Sequence, residues 1–308
     1  MCSLVDVMKN SRGRIRTGTL DNWCLVAPAI LLFIVVIAVP LFSSALLAFT
    51  DKRLGMTAEF VGLKNLIAVW QDPLFRRAAL NSVKFSVLVT LLKVSGAYVL
   101  AFVLEGADNR RLLLGVLLVP WLLPGSAACL LWIWLLYEPS GVLYTFMKAL
   151  CGSPITMNWF GTPSKAMAVL VAFNVWRELP LWSVVMFASR LRVPRELREQ
   201  CLLCGLGRAA TEVKVVLPML RPTLFISAAL MIMWAFGEFQ SVHLLTRGGP
   251  ANSTQLLSYY AYEVGYGGGT DLGLAVAAMV TVVPLVMLIV GPLLEAGILQ
   301  ARKASRAW

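Results

Sequence analysis

Charged side chains are scarce in this sequence. Asp, Glu, Lys and Arg make up 14% of its 308 residues, while 59% are hydrophobic; soluble domains carry roughly 25% charged residues. So little polar surface cannot cover a water-soluble globule of this size, and the bilayer becomes the natural solvent. Histidine is scarcer still: His243 stands alone, which leaves an imidazole relay without a second member and a zinc site short of ligands. No G-x-x-x-x-G-K-[ST] stretch occurs, so the chain lacks that phosphate-cradling loop. "GYGGGTDLG", from Gly265, has no Lys after it and precedes an apolar run; it reads as a flexible outside loop. Acidic doublets of the D-x-x-D kind are missing as well.

The six cysteines do not form a disulfide framework. Cys24 and Cys129 fall in or at apolar runs, Cys151 is isolated, and Cys2 lacks the preceding apolar segment of a lipoprotein acceptor. Cys201 and Cys204 form a C-x-x-C, but tetrahedral zinc needs two further ligands, and His243 is expected near the opposite membrane face. The pair reads as small apolar residues on the buried face of a short helix, and no metal site is expected.

Long apolar runs are what the chain has in abundance. Six cover about 24–49, 81–104, 112–136, 166–189, 222–245 and 271–297, each long enough for the roughly 20 helical residues that cross a bilayer. Alternating barrel strands are not seen. The expected fold is therefore all-α and polytopic, with six transmembrane helices. The basic N-terminus does not read as a cleaved signal peptide, because its apolar run is too long and ends in "FTDKR" without a small-residue cleavage site.

Lys and Arg set the orientation. With the N-terminus inside, the segments 1–23, 105–111, 190–221 and 298–308 hold sixteen of them, and the outside segments hold eight. This bias puts both termini in the cytoplasm. The net charge of +11 then reflects topology and anionic lipid; nucleic acid is not an expected partner, since no basic stripe is interleaved with exposed aromatics.

The inner stretch 190–221 is unusually polar. Pro194 suits a first helical turn, and Glu196 and Glu199 favour its positive end. Leu197, Cys201 and Cys204 share a face by spacing, and Gly205 and Gly207 end the helix. "RAATEVKVV" forms a second short helix that Pro218 is expected to break. Two short helices joined by a glycine turn make a docking element for a partner protein.

Glu199-Gln200-Cys201, three residues, Gly205, nine residues, then Val215-Val216-Leu217-Pro218 resembles the E-A-A-x3-G-x9-I-x-L-P motif. That motif marks the membrane subunits of binding-protein-dependent ABC importers. "FQSVHLLTRGGPANSTQLLSYYAYEVGY" (239–266) is similar to a signature of the maltose-type carbohydrate branch, with Gln240 where aspartate is usual. "LLVPWLLPGSAACLLWIWLL" and the first apolar run are similar to its third and first spans. The resemblance implies a type I permease domain over 24–297 with its coupling loop at 190–221. It implies that Glu196, Glu199, Gly205, Leu217 and Pro218 meet a cytoplasmic ABC ATPase dimer. It also implies a second homologous permease subunit, an extracytoplasmic solute-binding protein and a bacterial inner-membrane location. ATP and Mg would be bound by the ATPase; no cofactor and no catalytic residue is expected in this chain.

Polar groups inside the spans are costly and often mark a pathway. Asn174, Trp176, Trp234, Glu238 and Gln240 are the candidates for contact with a sugar, polyol or glycerol phosphate, with Tyr98 as a further aromatic and Lys93 deep in its run. Arg177 and Glu178 point about 100° apart and suit each other poorly. The same groups can equally serve as glue between helices. A membrane-embedded enzyme, such as a lipid-phosphate transferase, needs acid–base groups clustered at one membrane face, and the acidic residues here are scattered. A stand-alone carrier or channel is expected to show repeats between its halves, which are not evident. A reporter fused after Trp308 should read cytoplasmic and one inserted in 246–270 external; the opposite reading at both sites would rule out this architecture.

Overall fold

The computed structural model describes residues 19–151 and 158–306. The basic residues Lys9 to Arg16, Cys2 and Trp308 lie outside the described residues. The chain divides into two units, Met1–Leu47 and Ala48–Trp308. In the first, α1 (Thr19–Phe33), a π turn (Ile34–Ala38) and α2 (Val39–Leu47) run on as one rod. Its stretch Val26–Leu47 is long and apolar enough to cross a membrane.

The second unit holds the rest: α3 (Lys64–Gln71), α4 (Pro73–Gly106), α5 (Arg110–Leu122), α6 (Gly125–Leu136), α7 (Val142–Cys151), α8 (Pro163–Arg190), α9 (Arg195–Leu203), α10 (Arg208–Thr211), α11 (Leu217–Phe236), α12 (Leu257–Tyr262) and α13 (Leu272–Arg306). Among the described residues the β structure amounts to two isolated bridges. Five helices are long and apolar enough to span, or six if the bent pair α5–α6 counts as one. The all-α, polytopic fold expected from the apolar runs is the fold observed.

Four boundaries differ from the sequence reading, each for a local reason. α4 starts at Pro73, not near 81, because Asp72 caps it: its side chain accepts from the Leu74 N–H and Pro73 occupies the first turn. The run 112–136 is not one span; α5 and α6 meet at 92°. Leu123 precedes Pro124, so it is driven to extended backbone (ψ 134°) and the helix stops. Pro218 does not break the chain. A π turn at Glu212–Val216 joins α10 to α11, with the Leu217 N–H on the Glu212 carbonyl. The wider turn just before the proline absorbs its missing donor, as the π turn before Pro40 does in the first unit. Finally, the fifth span ends at Phe236, so Glu238 and Gln240 fall in the break beyond it rather than within it.

Three packed clusters hold the second unit. Phe75, Ala78, Ala229, Phe236, Tyr260 and Ala278 join α4, α11, α12 and α13. Phe85, Val89, Leu170, Phe173 and Ala235 join α4, α8 and α11. Ala97, Ala101, Trp182, Met186 and Leu220 close the far end. The small, fully buried Ala97 and Ala101 let α8 approach α4, as membrane helices require in the absence of a hydrophobic drive. The signature segment beyond the fifth span is stitched to α4: Asn81 Nδ2 donates to the carbonyls of Asn252 (3.1 Å) and Gln255 (3.2 Å), and Ser82 Oγ accepts from the Leu257 N–H (2.8 Å).

The buried Tyr260 hydroxyl donates to Asp72 Oδ2 at 2.6 Å, so the α4 cap is also the anchor of α12. Burial and this bond both raise the Tyr260 pKa above its ordinary value of 10.0. A raised phenol pKa favours the neutral form when folded. The stabilisation is therefore complete below pH 10 and is lost as pH climbs beyond it. Tyr260→Phe should destabilise the purified chain by about 1.5–3 kcal/mol, the range for a hydrogen bond to a charged group, measured as thermal unfolding in detergent at pH 7. An unchanged melting temperature would show the anchor to be idle.

Candidate functional site: the docking loop and the intramembrane polar cluster

The sequence from Arg195 to Pro218 builds a helix, a turn and a second helix. α9 ends in a Schellman turn: the Gly205 N–H bonds the Leu202 carbonyl and the Leu206 N–H bonds that of Cys201, both at 3.0 Å. Gly205 carries φ +81°, a left-handed conformation that costs glycine little and other residues more. Glu196 and Glu199 lie exposed on α9, and Leu203 beside them is 88% exposed. Leu217 and Pro218 are half-buried within the continuous helix that leads into α11. Cys201 is half-buried, but Cys204 is exposed. The expected shared buried face fails because Cys204 is already the C-cap, past the last regular turn.

A buried guanidinium fastens this loop to the membrane. Arg190, the last residue of α8, has no solvent exposure. Its Nη1 and Nη2 donate to the two carboxylate oxygens of Glu212 at 2.9 Å each, and its Nε to Glu105 Oε2 at 2.9 Å. Its carbon lies 5.3 Å from the ring centres of both Tyr98 and Phe102. Tyr98 donates to Glu212 (2.8 Å). From α9, Arg198 bonds the other Glu105 oxygen and the Arg190 carbonyl. One residue thus joins the ends of α4 and α8, the π turn below α11, and α9. Sequence reading counted Arg190 and Arg198 only as inside charge. The overlooked signal was Glu105 and Glu212, two acids at span ends on the basic face.

Deeper in the membrane, the polar residues of three segments converge. Lys93 Nζ, fully buried, sits 2.6 Å from Glu178 Oε2 and 3.4 Å from Asn174 Oδ1. Asn174 Nδ2 reaches Ser241 Oγ (3.4 Å). Glu238 Oε1 accepts from both the N–H and the hydroxyl of Ser241. Gln240 and Arg177 crowd the bend between α5 and α6. A Cβ on Gly125 would stand 2.1 Å from Gln240 Oε1 and 2.9 Å from Arg177 Nη2, so a larger residue there would push both side chains aside. Of the pathway candidates, then, Asn174, Glu238 and Gln240 share one neighbourhood. Trp176 lies against Trp132 and Phe173, Trp234 pairs with Trp182, and Tyr98 belongs to the Arg190 clamp. Glu178 has its partner after all, one helix away in Lys93. Two opposite charges buried in separate apolar runs were the signal for that pair.

Breaking a buried ion pair from one side strands a charge and costs about 3–5 kcal/mol, while replacing both members with apolar residues is often neutral. Lys93→Met should therefore lower the thermal stability clearly, and Lys93→Met with Glu178→Leu should recover most of it. If the single variant melts like the parent, Glu178 does not depend on Lys93.

No family model matches the chain. Curated relatives do. The sulfoquinovosyl glycerol transport system permease protein of Agrobacterium fabrum is 28% identical over 246 residues, covering 78% of this chain and 78% of that protein. The trehalose/maltose transport system permease protein of Thermococcus litoralis is 28% identical over 277 residues, covering 88% and 93%. The diacetylchitobiose uptake system permease protein of Streptomyces coelicolor is 28% identical over 283 residues, covering 89% and 86%. Among solved structures, a bacterial alginate ABC transporter in complex with an alginate pentasaccharide-bound periplasmic protein contains a chain that matches with TM-score 0.77 at 18% identity, over 94% of this chain and 95% of that one. The relatives, the shared fold and the spacing from Glu199 to Pro218 agree: over most of its length the chain is similar to permease subunits of sugar ABC importers, the trehalose/maltose permease among them.

Proposed function

We propose that this chain is one of two homologous permease subunits of an ATP-driven importer in the bacterial inner membrane, with both termini cytoplasmic. A separate ABC ATPase dimer binds ATP and Mg and takes the docking loop 190–221 into a groove on each side. An extracytoplasmic binding protein delivers a sugar, oligosaccharide, polyol or glycerol phosphate. The names of the relatives, which include an sn-glycerol-3-phosphate permease from Escherichia coli, support this solute class. The convergence of Asn174, Glu238 and Gln240 beside a broken helix pair supports them as pathway residues; half-helix ends beside polar side chains are a recurrent way to meet a solute in lipid.

One observation carries the reading. The docking motif is an exposed helix and a rigid Schellman turn, tied by Arg198 and Arg190 to three span ends. A solvated loop needs no such anchorage. When ATP closes the ATPase dimer, force on Glu196 and Glu199 would pass through α9 to the clamp and from there into α4, α8 and α11.

Gly205→Pro removes the N–H that bonds Leu202 and fixes φ near −65°, against the +81° observed. Glu199→Lys places a cation where the reading puts a desolvated contact, weakening docking by about 2–5 kcal/mol. Both variants should insert normally, because the spans supply the folding energy. Both should lose copurifying ATPase or uncouple ATP hydrolysis from loaded binding protein. Wild-type uptake by both would reduce the loop to a solvated inside segment.

A further inference from the structure

A cavity of about 730 Å³ opens between the end of α4 and the docking loop. Four arginines line it, Arg190, Arg195, Arg198 and Arg208, against two acids, Glu105 and Glu212. Arg190 and Arg198 are committed to those acids. Arg195 and Arg208 are not, so the wall carries two uncompensated positive charges. The Nε of Arg198 is buried without a hydrogen-bond partner, a donor that the protein leaves open.

The cavity's other wall is apolar. Phe102 and Val103 line it, and both remain about half exposed, as does Val99 one turn deeper on α4. Glu105 stands one residue from the end of a spanning helix, Arg190 ends another and Arg208 begins a third. Positive charge thus sits at the membrane boundary, with a greasy track leading from it along a span.

We propose that this cavity binds the phosphate headgroup of an anionic phospholipid, with the acyl chains laid along the Val99–Phe102–Val103 face. Basic pockets between spans at the cytoplasmic side suit such headgroups. The site is separate from the ATPase contact. Arg195, Arg198 and Leu202 recur at helical spacing on one face of α9, while Glu196, Glu199 and Leu203 lie on a face about 100° round. Because Arg198 also holds Glu105 of the clamp, a bound headgroup would brace the docking helix from within.

The test uses the full-length chain with its copurifying subunits, in nanodiscs of phosphatidylcholine with or without phosphatidylglycerol. Two arginines give about a tenfold or greater preference for the anionic lipid. Mass spectrometry after detergent washing should find phosphatidylglycerol retained by the parent and lost from Arg195→Gln/Arg208→Gln. Arg192→Gln/Arg221→Gln, a pair outside the cavity lining, should retain it. Phosphatidylglycerol should raise the melting temperature of the parent but not of the cavity variant, and inorganic phosphate should not reproduce that rise. Absence of selective retention, equal loss from both variants, or full stabilisation by inorganic phosphate would each overturn the proposal. So would loss of the ATPase from the cavity variant with its lipid retained, since that would assign the face to the protein partner. The lipid test can fail while Gly205→Pro still uncouples transport, so the two readings stand apart.

Discussion

A guanidinium sealed from water dictates the loop end of this molecule, where α4, α8 and α11 meet 190–221. Arg190 has lost its hydration and regains it only through Glu105, Glu212 and the faces of two aromatic rings. An unpaired charge in that position is untenable, so the two acids are bound to come to it, and each brings a helix end. The positions of α4, α8 and the start of α11 are consequently not independent. The exposed helix α9 joins the same network through Arg198, which means that its orientation is set by the long helices rather than by the loop's own propensities.

The mid-membrane cluster obeys the same constraint in a different form. Lys93 and Glu178 neutralise each other, while Asn174, Ser241 and Glu238 pass hydrogen bonds from α8 to the break beyond α11. Lipid offers no partner to any of these groups, so they hold three segments together whatever else they contact. Gly125 completes the arrangement by leaving room for Gln240 and Arg177 at the bend. The bend of the broken helix pair is thereby packed against polar side chains, while the apolar residues of α5 stay exposed.

Hydropathy and motif spacing made the all-α fold, the apolar runs and the helix–glycine turn–helix of 195–218 readable before any coordinates. They worked because both are local: an apolar run must be a helix in lipid, and a glycine in a Schellman turn follows from its neighbours. Hidden were the features decided by pairing across the fold. Charges placed in separate apolar runs or at span ends signal that partners are needed, but they do not single out Lys93, 85 positions from Glu178, or Glu105 for Arg190. Proline was the other blind spot. Pro124 and Pro218 look alike in a sequence, yet one ends a helix because an extended Leu123 precedes it, and the other is tolerated because a π turn does. The Asp72 cap, which lengthens α4 by two turns, was visible as an Asp-Pro pair and was passed over because the apolar run had not yet begun.

The π turn at Glu212–Val216 has a geometric consequence for how the loop and the fifth span are matched. A π turn carries one residue more than an α turn, and each helical residue corresponds to about 100° of rotation and 1.5 Å of rise. The angular phase of α11 relative to α10 is therefore fixed by a single surplus residue. Deleting one position from 212–216 would leave an unbroken helix of ordinary register, with every side chain of α11 swung by more than a quarter of a circle. Glu212, which the clamp holds, lies at the top of that surplus turn, so the residue that pins the helix in place is also the one that sets its dial.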